Sequence, residues 1–256
     1  MSRFHNLEFG EHSDERDDQH VVVKDEAHYL REATTAFEHG RFEQALRLFA
    51  KVIEHNPRNA AAWTGQVRML IELGEFKEAK LWADKALEHF PREAELIAAK
   101  AVALARLGQA REALAFSDAA IEARGDTPYV WLARGDVLLA GREKKADYCF
   151  EKALSLAPRS WLWHWLASRV CFFYEKFSLA LKMIQKALEL DAARSVIWLQ
   201  LGYCQQALGM IAVAGESFVQ ARELDPRCVE ATMAQRQLAV PGGWERVRSW
   251  WRRLTN

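Results

Sequence analysis

The chain has 256 residues with 35 basic and 35 acidic side chains, so its formal net charge is zero. That balance excludes a bulk electrostatic nucleic-acid binder and a highly acidic solvating chain. Half of the residues are hydrophobic and only 13 glycines and 6 prolines interrupt them, which favours a large core of long helices over disorder or a turn-rich β fold.

Residues 1–25 form the first element, an expected acidic, flexible tail of net charge −4. Val21-Val22-Val23 is its one apolar stretch. It lacks the apolar core of a secretory signal. His5, His12, His20 and His28 recur there beside carboxylates, but nothing in the pattern fixes a ligand geometry, so no metal site is expected. Further along, no uncharged apolar run reaches the ~20 residues needed to span a bilayer. The longest, Trp161 to Tyr174, is broken by His164 and Arg169. Cys149, Cys171, Cys204 and Cys228 form no CxxC pair and read as free thiols near helix packing, consistent with a cytoplasmic protein.

Residues 26–240 are periodic. Ala45, Ala79, Ala113, Ala146, Ala180 and Ala214 follow one another at 34, 34, 33, 34 and 34 residues. A second series, Tyr29, Trp63, Ile97, Trp131, His164 and Trp198, runs about 16 residues ahead of it. Each unit has two amphipathic stretches of about 14 residues. Gly40, Gly74, Gly108, Gly141 and Gly209 fall between the stretches, where a helix stop requires positive φ. Pro57, Pro91, Pro158 and Pro226 follow the second stretch and prevent its continuation. The alanine pairs, such as Ala79 and Ala86, put small side chains on one helix face. A deletion in the fourth unit is expected at the Gly141 turn. One hairpin cannot bury its apolar face, whereas a stack of hairpins buries a continuous core.

These residues resemble the tetratricopeptide repeat. The sixth unit reads Trp198-x2-Leu201-Gly202, then Ala214-x3-Phe218-x2-Ala221-x4-Pro226, and the fourth carries Trp131, Gly135, Ala146, Phe150, Ala153 and Pro158. Units three and five are degenerate: Ser117 replaces the large aromatic, and neither ends in proline. The resemblance implies an all-α, right-handed superhelical solenoid of six helix-turn-helix repeats. Residues 229–239 are expected to cap it, with Glu230, Gln235, Arg236 and Gln237 outward.

The resemblance also implies a concave face lined by positions two, five, nine and twelve of each repeat, holding a peptide or helix of a partner protein. In repeats four to six these positions become large: Tyr129, Leu132, Asp136, Trp165, Arg169, Phe172, Leu199 and Tyr203 form the expected partner-binding groove. Arg68 and Ile71 are secondary candidates. The lysines and asparagines with which some family members grip a chaperone's C-terminal carboxylate are absent: Leu30, Thr34 and Gly65, or Thr64, Arg68 and Ala99, stand there instead. An apolar or amphipathic partner segment with an acid facing Arg169 fits better.

The last element, residues 241–256, starts with Pro241-Gly242-Gly243. Beyond that break, Trp244, Val247, Trp250, Trp251 and Leu254 share one helical arc, and Arg246, Arg248, Arg252 and Arg253 the remainder. A basic, Trp-rich amphipathic helix docks onto the last repeat, onto a partner, or onto an anionic membrane surface. No nucleotide, metal or nucleophile motif is present, His164 reads as a packing histidine, and no cofactor is expected. The function expected is therefore a non-catalytic adaptor or assembly scaffold. The alternatives are a membrane-peripheral assembly factor recruited by its C-terminal helix, and an RNA-binding helical repeat using Arg68, Arg106 and Arg169.

Overall fold

The computed structural model describes residues 25–123 and 125–238. Thirteen α-helices and no strand occur among them: α1 Glu26–Glu38, α2 Phe42–His55, α3 Ala60–Glu72, α4 Phe76–His89, α5 Ala94–Arg106, α6 Ala110–Glu122, α7 Pro128–Ala140, α8 Ala146–Leu156, α9 Trp161–Phe173, α10 Phe177–Leu190, α11 Ser195–Ala207, α12 Ile211–Leu224 and α13 Val229–Leu238. The first twelve make six antiparallel pairs that stack into a helical repeat solenoid.

The same turn closes every pair. After α1 the Gly40 N–H donates to the Phe37 carbonyl at 2.9 Å and the Arg41 N–H to the Ala36 carbonyl at 2.9 Å. This pair of bonds needs a left-handed residue, here Gly40 at φ +70°. Gly74, Gly108 and Gly209 repeat it. Gly141 does not. It ends α7 at φ −77°, and Arg142 takes the left-handed place at φ 58°. The missing residue of the fourth repeat is thus absorbed after the turn, and α8 begins only at Ala146. In repeat five Glu175 fills the same place at φ 57°.

The alanine series explains the close stacking. Ala45, Ala79, Ala113, Ala180 and Ala214 are completely buried, and Ala146 nearly so. Aromatic side chains pass into the space left by glycines on facing helices. A Cβ on Gly65 would lie 2.5 Å from the Phe49 ring, one on Gly135 2.6 Å from Phe150, and one on Gly202 2.4 Å from Phe218. These glycines are kept for close approach rather than for backbone freedom.

The solenoid closes on itself. The α1–α2 turn reaches repeat six: Arg41 Nη2 lies 2.9 Å from Asp225 Oδ2, and Arg194 Nη1 3.7 Å from Glu38 Oε2. Phe37 and Phe42 pack on Trp165 in α9, with centroids 6.1 and 6.2 Å away. In repeat two, Phe76 meets Phe173 edge-on at 6.1 Å. Repeats one and two therefore touch repeats five and six.

The Arg41–Asp225 tie is pH-sensitive. Partial burial would raise the Asp225 pKa, but hydrogen bonds from Arg41 and from the Arg227 N–H, with the Arg41 charge, hold it below its ordinary 3.8. A carboxyl lowered in the folded state contributes stability above its unfolded pKa and loses it as pH falls through the folded one. Asp225→Asn should therefore destabilise the chain at pH 7. The cost should disappear in urea unfolding curves taken below the folded pKa of Asp225.

Candidate functional site

Side chains from the first helices of the first five pairs, α1, α3, α5, α7 and α9, meet one another across the solenoid. Arg68 lies over Tyr129 at 4.1 Å, Phe37 at 5.2 Å and Trp163 at 5.8 Å. Arg169 reaches from α9 to Glu72 at the end of α3, with Nη2–Oε2 2.6 Å and Nε–Oε2 2.8 Å. The same guanidinium sits over Phe42 at 4.7 Å and Trp165 at 5.3 Å.

Beside this lies a buried ionic cluster. Arg106 donates through Nε to Asp136 Oδ1 at 3.0 Å and through Nη2 to Oδ2 at 2.6 Å. The Tyr174 hydroxyl donates to Asp136 Oδ1 at 2.6 Å. Burial alone would pull the Arg106 pKa down, but the Asp136 carboxylate more than reverses this and holds it above its ordinary value. Burial, reinforced by the Asp136 charge, pushes the Tyr174 hydroxyl up. Both groups keep their protons, so the cluster is fixed rather than an acid–base pair.

Of the expected groove residues, Tyr129, Leu132, Asp136, Trp165 and Phe172 are buried, with Trp165 only 2 % exposed. Arg169, Leu199, Tyr203, Arg68 and Ile71 are partly exposed. Arg169 lies over Trp165 at 5.3 Å, and the Phe172 and Tyr203 rings are 6.3 Å apart. From sequence these residues are expected to face an open groove; instead Phe37 and Phe42 of repeat one pack on Trp165, and Glu72 of repeat two pairs with Arg169. Sequence reasoning missed the partners: Glu72 stands one residue beyond the twelfth position, and Phe42, Phe173 and Tyr174 sit beside turns. The alternation of charge, with Arg169 and Arg106 against Glu72 and Asp136, was the available signal. The three arginines weighed for RNA are thus engaged by rings or carboxylates of the chain itself.

The chemistry available here is limited. His164 Nδ1 is 3.1 Å from the Ser160 carbonyl oxygen, a helix-packing contact. Burial pushes the Cys171 and Cys204 thiols up to about 12, which keeps them protonated and unreactive. Among the described residues no group of three or more His, Cys, Asp or Glu side chains could hold a metal ion, and no helix is long and apolar enough to cross a membrane. A separate recess of about 670 Å³ opens where α8 lacks its first turn, lined by Leu114, Trp131, Tyr148 and Arg111 among others. The residues expected to form the C-terminal docking helix (Trp244, Val247, Trp250, Trp251, Arg252 and Arg253), like the N-terminal tail up to Lys24, lie outside the described residues.

Comparison with known proteins agrees with this architecture. The family model described as "Tetratricopeptide repeat" matches residues 30–94. No curated protein matches the chain. Among solved structures, TTC0263, a thermophilic TPR protein in Thermus thermophilus, is similar at 21% identity and a TM-score of 0.51, over 84% of this chain and 98% of that one. A tetratricopeptide repeat protein from Parabacteroides merdae is similar at 16% identity and a TM-score of 0.54, over 86% of each chain. The APC/C hetero-tetramer Cut9-Hcn1 contains a chain similar at 14% identity and a TM-score of 0.51, over 85% of this chain and 44% of that one. At such identities the likeness is one of fold. The tetratricopeptide-repeat model covers about the first two repeats, and the likeness to the solved structures shows that the described residues share the helical-repeat fold of those proteins.

Proposed function

We propose that the chain is a non-catalytic adaptor or assembly scaffold that takes an apolar or amphipathic segment of a partner protein onto its concave face. The segment enters in exchange for side chains of the chain's own first two repeats. The observation that supports this reading most is the Glu72–Arg169 pair. A carboxylate of the chain pairs with Arg169, whose guanidinium lies over the Phe42 and Trp165 rings, where an acid of a partner segment is expected. Self-complementary contacts of this kind are made by a partner segment with the same chemistry, an acid next to an aromatic or aliphatic residue. The pair is also accessible: the Arg169 and Glu72 side chains are 26% and 20% exposed, so exchanging one carboxylate for another costs little. Leu199 and Tyr203 extend the apolar surface beyond it. Free cysteines throughout the described residues fit a reducing, cytoplasmic setting.

The test is quantitative capture of a partner identified by affinity purification and mass spectrometry. Arg169→Ala should weaken capture about tenfold or more, as for a hot-spot residue. Glu72→Gln should strengthen it by releasing Arg169. If both variants keep the wild-type unfolding midpoint and capture the partner as the wild type does, the concave face is not the binding surface.

A further inference from the structure

Helix α13 is in phase with the first helix of a seventh repeat. Val229 and Met233 lie 34 residues after Ser195 and Leu199. In repeat six the first position touches the second helix of the pair, and the fifth, on the border of the concave face, packs on the cluster shared by α12 and α13. The Ser195 hydroxyl donates to the Ala221 carbonyl at 2.8 Å, and Leu199 packs against the cluster that contains Ala214 and Phe218. In α13 the same positions hold apolar side chains that nothing covers among the described residues: Val229 is 57% exposed and Met233 56%. Two water-facing apolar groups at positions that pack on neighbouring helices in repeat six mark a hairpin lacking its second half.

The residues beyond α13 carry the pattern of that second half. Gly243 follows Gly209, the left-handed turn residue of repeat six, by 34 positions. Four residues further comes Val247, then Trp250, Trp251 and Leu254, at i, i+3, i+4 and i+7. Helix α8 has the same arrangement. Its left-handed turn residue is Arg142, four positions before Ala146, and its buried residues are Ala146, Cys149, Phe150 and Ala153. In repeat six the corresponding step, Gly209 to Ala214, is five. The spacing of the short variant in repeat four therefore recurs in the sequence of residues 243–254.

The side-chain sizes fit as well. Phe150 and Phe218 approach their pair helices closely because Gly135 and Gly202 leave room. The corresponding residue of α13 is Arg236, which keeps a second helix further out. Trp250 and Trp251 stand in the sequence where α8 has the smaller Cys149 and Phe150, a size suited to a wider gap. The exposed Glu230 of α13 adds a carboxylate near a segment that carries Arg246, Arg248, Arg252 and Arg253.

We propose that residues 244–254 dock on α13 as the second helix of a seventh, incomplete repeat, with Trp251 against Met233 and Leu254 against Val229. The occupant of this apolar face is the chain's own C-terminal segment, whose tryptophans cover α13. The proposal stands independently of the concave-face reading.

The experiment is amide hydrogen exchange on the full-length chain, compared with Val229→Lys/Met233→Lys and with a free peptide of residues 241–256. Both substituted residues are exposed on α13, so repeats one to six should keep their protection. In the wild type, the amides of residues 247–254 should exchange about tenfold or more slowly than in the peptide, and the double substitution should remove that protection. Flotation with phosphatidylserine–phosphatidylcholine vesicles forms the second arm, and the wild-type chain should remain unbound. Unprotected amides in the wild type overturn the proposal. So does protection that survives both lysines, or a wild-type chain that binds the vesicles through this segment.

Discussion

Asp136→Ala is expected to remove about 3–5 kcal/mol of folding stability, because it leaves the Arg106 guanidinium buried without its counter-charge. The Arg106 and Asp136 side chains are only 7% and 3% exposed, and the two-pronged contact uses both carboxylate oxygens. Arg106 is stacked over the Phe173 ring at 3.3 Å, so it cannot swing out to water without giving up that contact. The Tyr174 hydroxyl loses its acceptor at the same time. A double replacement, Arg106→Met with Asp136→Leu, should cost less than Asp136→Ala alone, since it removes both charges together. Urea unfolding of the wild type and the two variants measures this. A loss below about 1 kcal/mol for Asp136→Ala would mean that the arginine finds solvent after all.

Trp165→Ala is the second large effect, at about 3–5 kcal/mol. Trp165 is 2% exposed and lies against Phe37, Phe42 and Trp161, with Arg169 over its ring. The loss has a signature beyond its size. Phe37 and Phe42 belong to repeat one, so the variant should speed amide exchange in α1 and α2, more than 100 residues away in sequence. Exchange confined to α9 and α10 would show that repeat one holds without this contact. The same burial makes Trp165 a poor probe of partner binding, because its loss disturbs the fold. Arg169, which is partly exposed, separates the two effects.

The pairing of helices was legible in the sequence nearly to the residue. A 34-residue period with alanine, glycine and proline at set places leaves one way to bury the apolar faces. Some of the residues expected inward meet one another: Arg68 lies over Phe37 and Tyr129, and Arg169 over Trp165. What the sequence did not reveal was that repeats one and two touch repeat five, through Phe37, Phe42, Glu72 and Phe76. Closure depends on small rotations between successive repeats, which accumulate over five junctions and leave no local mark. Glu72 looks like any solvated residue at a helix end until Arg169, 97 residues later, is placed beside it. Gly141 misled for a local reason. A glycine beside a turn looks like the left-handed residue, but hydrogen-bond register decides, and it assigns that role to Arg142.

The contact between the first and last repeats also changes what kind of object this chain is when it unfolds. In an open stack the terminal units have one neighbour each, fray first, and the array melts from its ends. Here the α1–α2 turn is held by Asp225 and repeat one leans on Trp165, so the amino-terminal unit is braced from two sides. Such a molecule behaves as a clasped band. The sequence-distant contacts form late in folding, and while they hold they tie six small cooperative units into one.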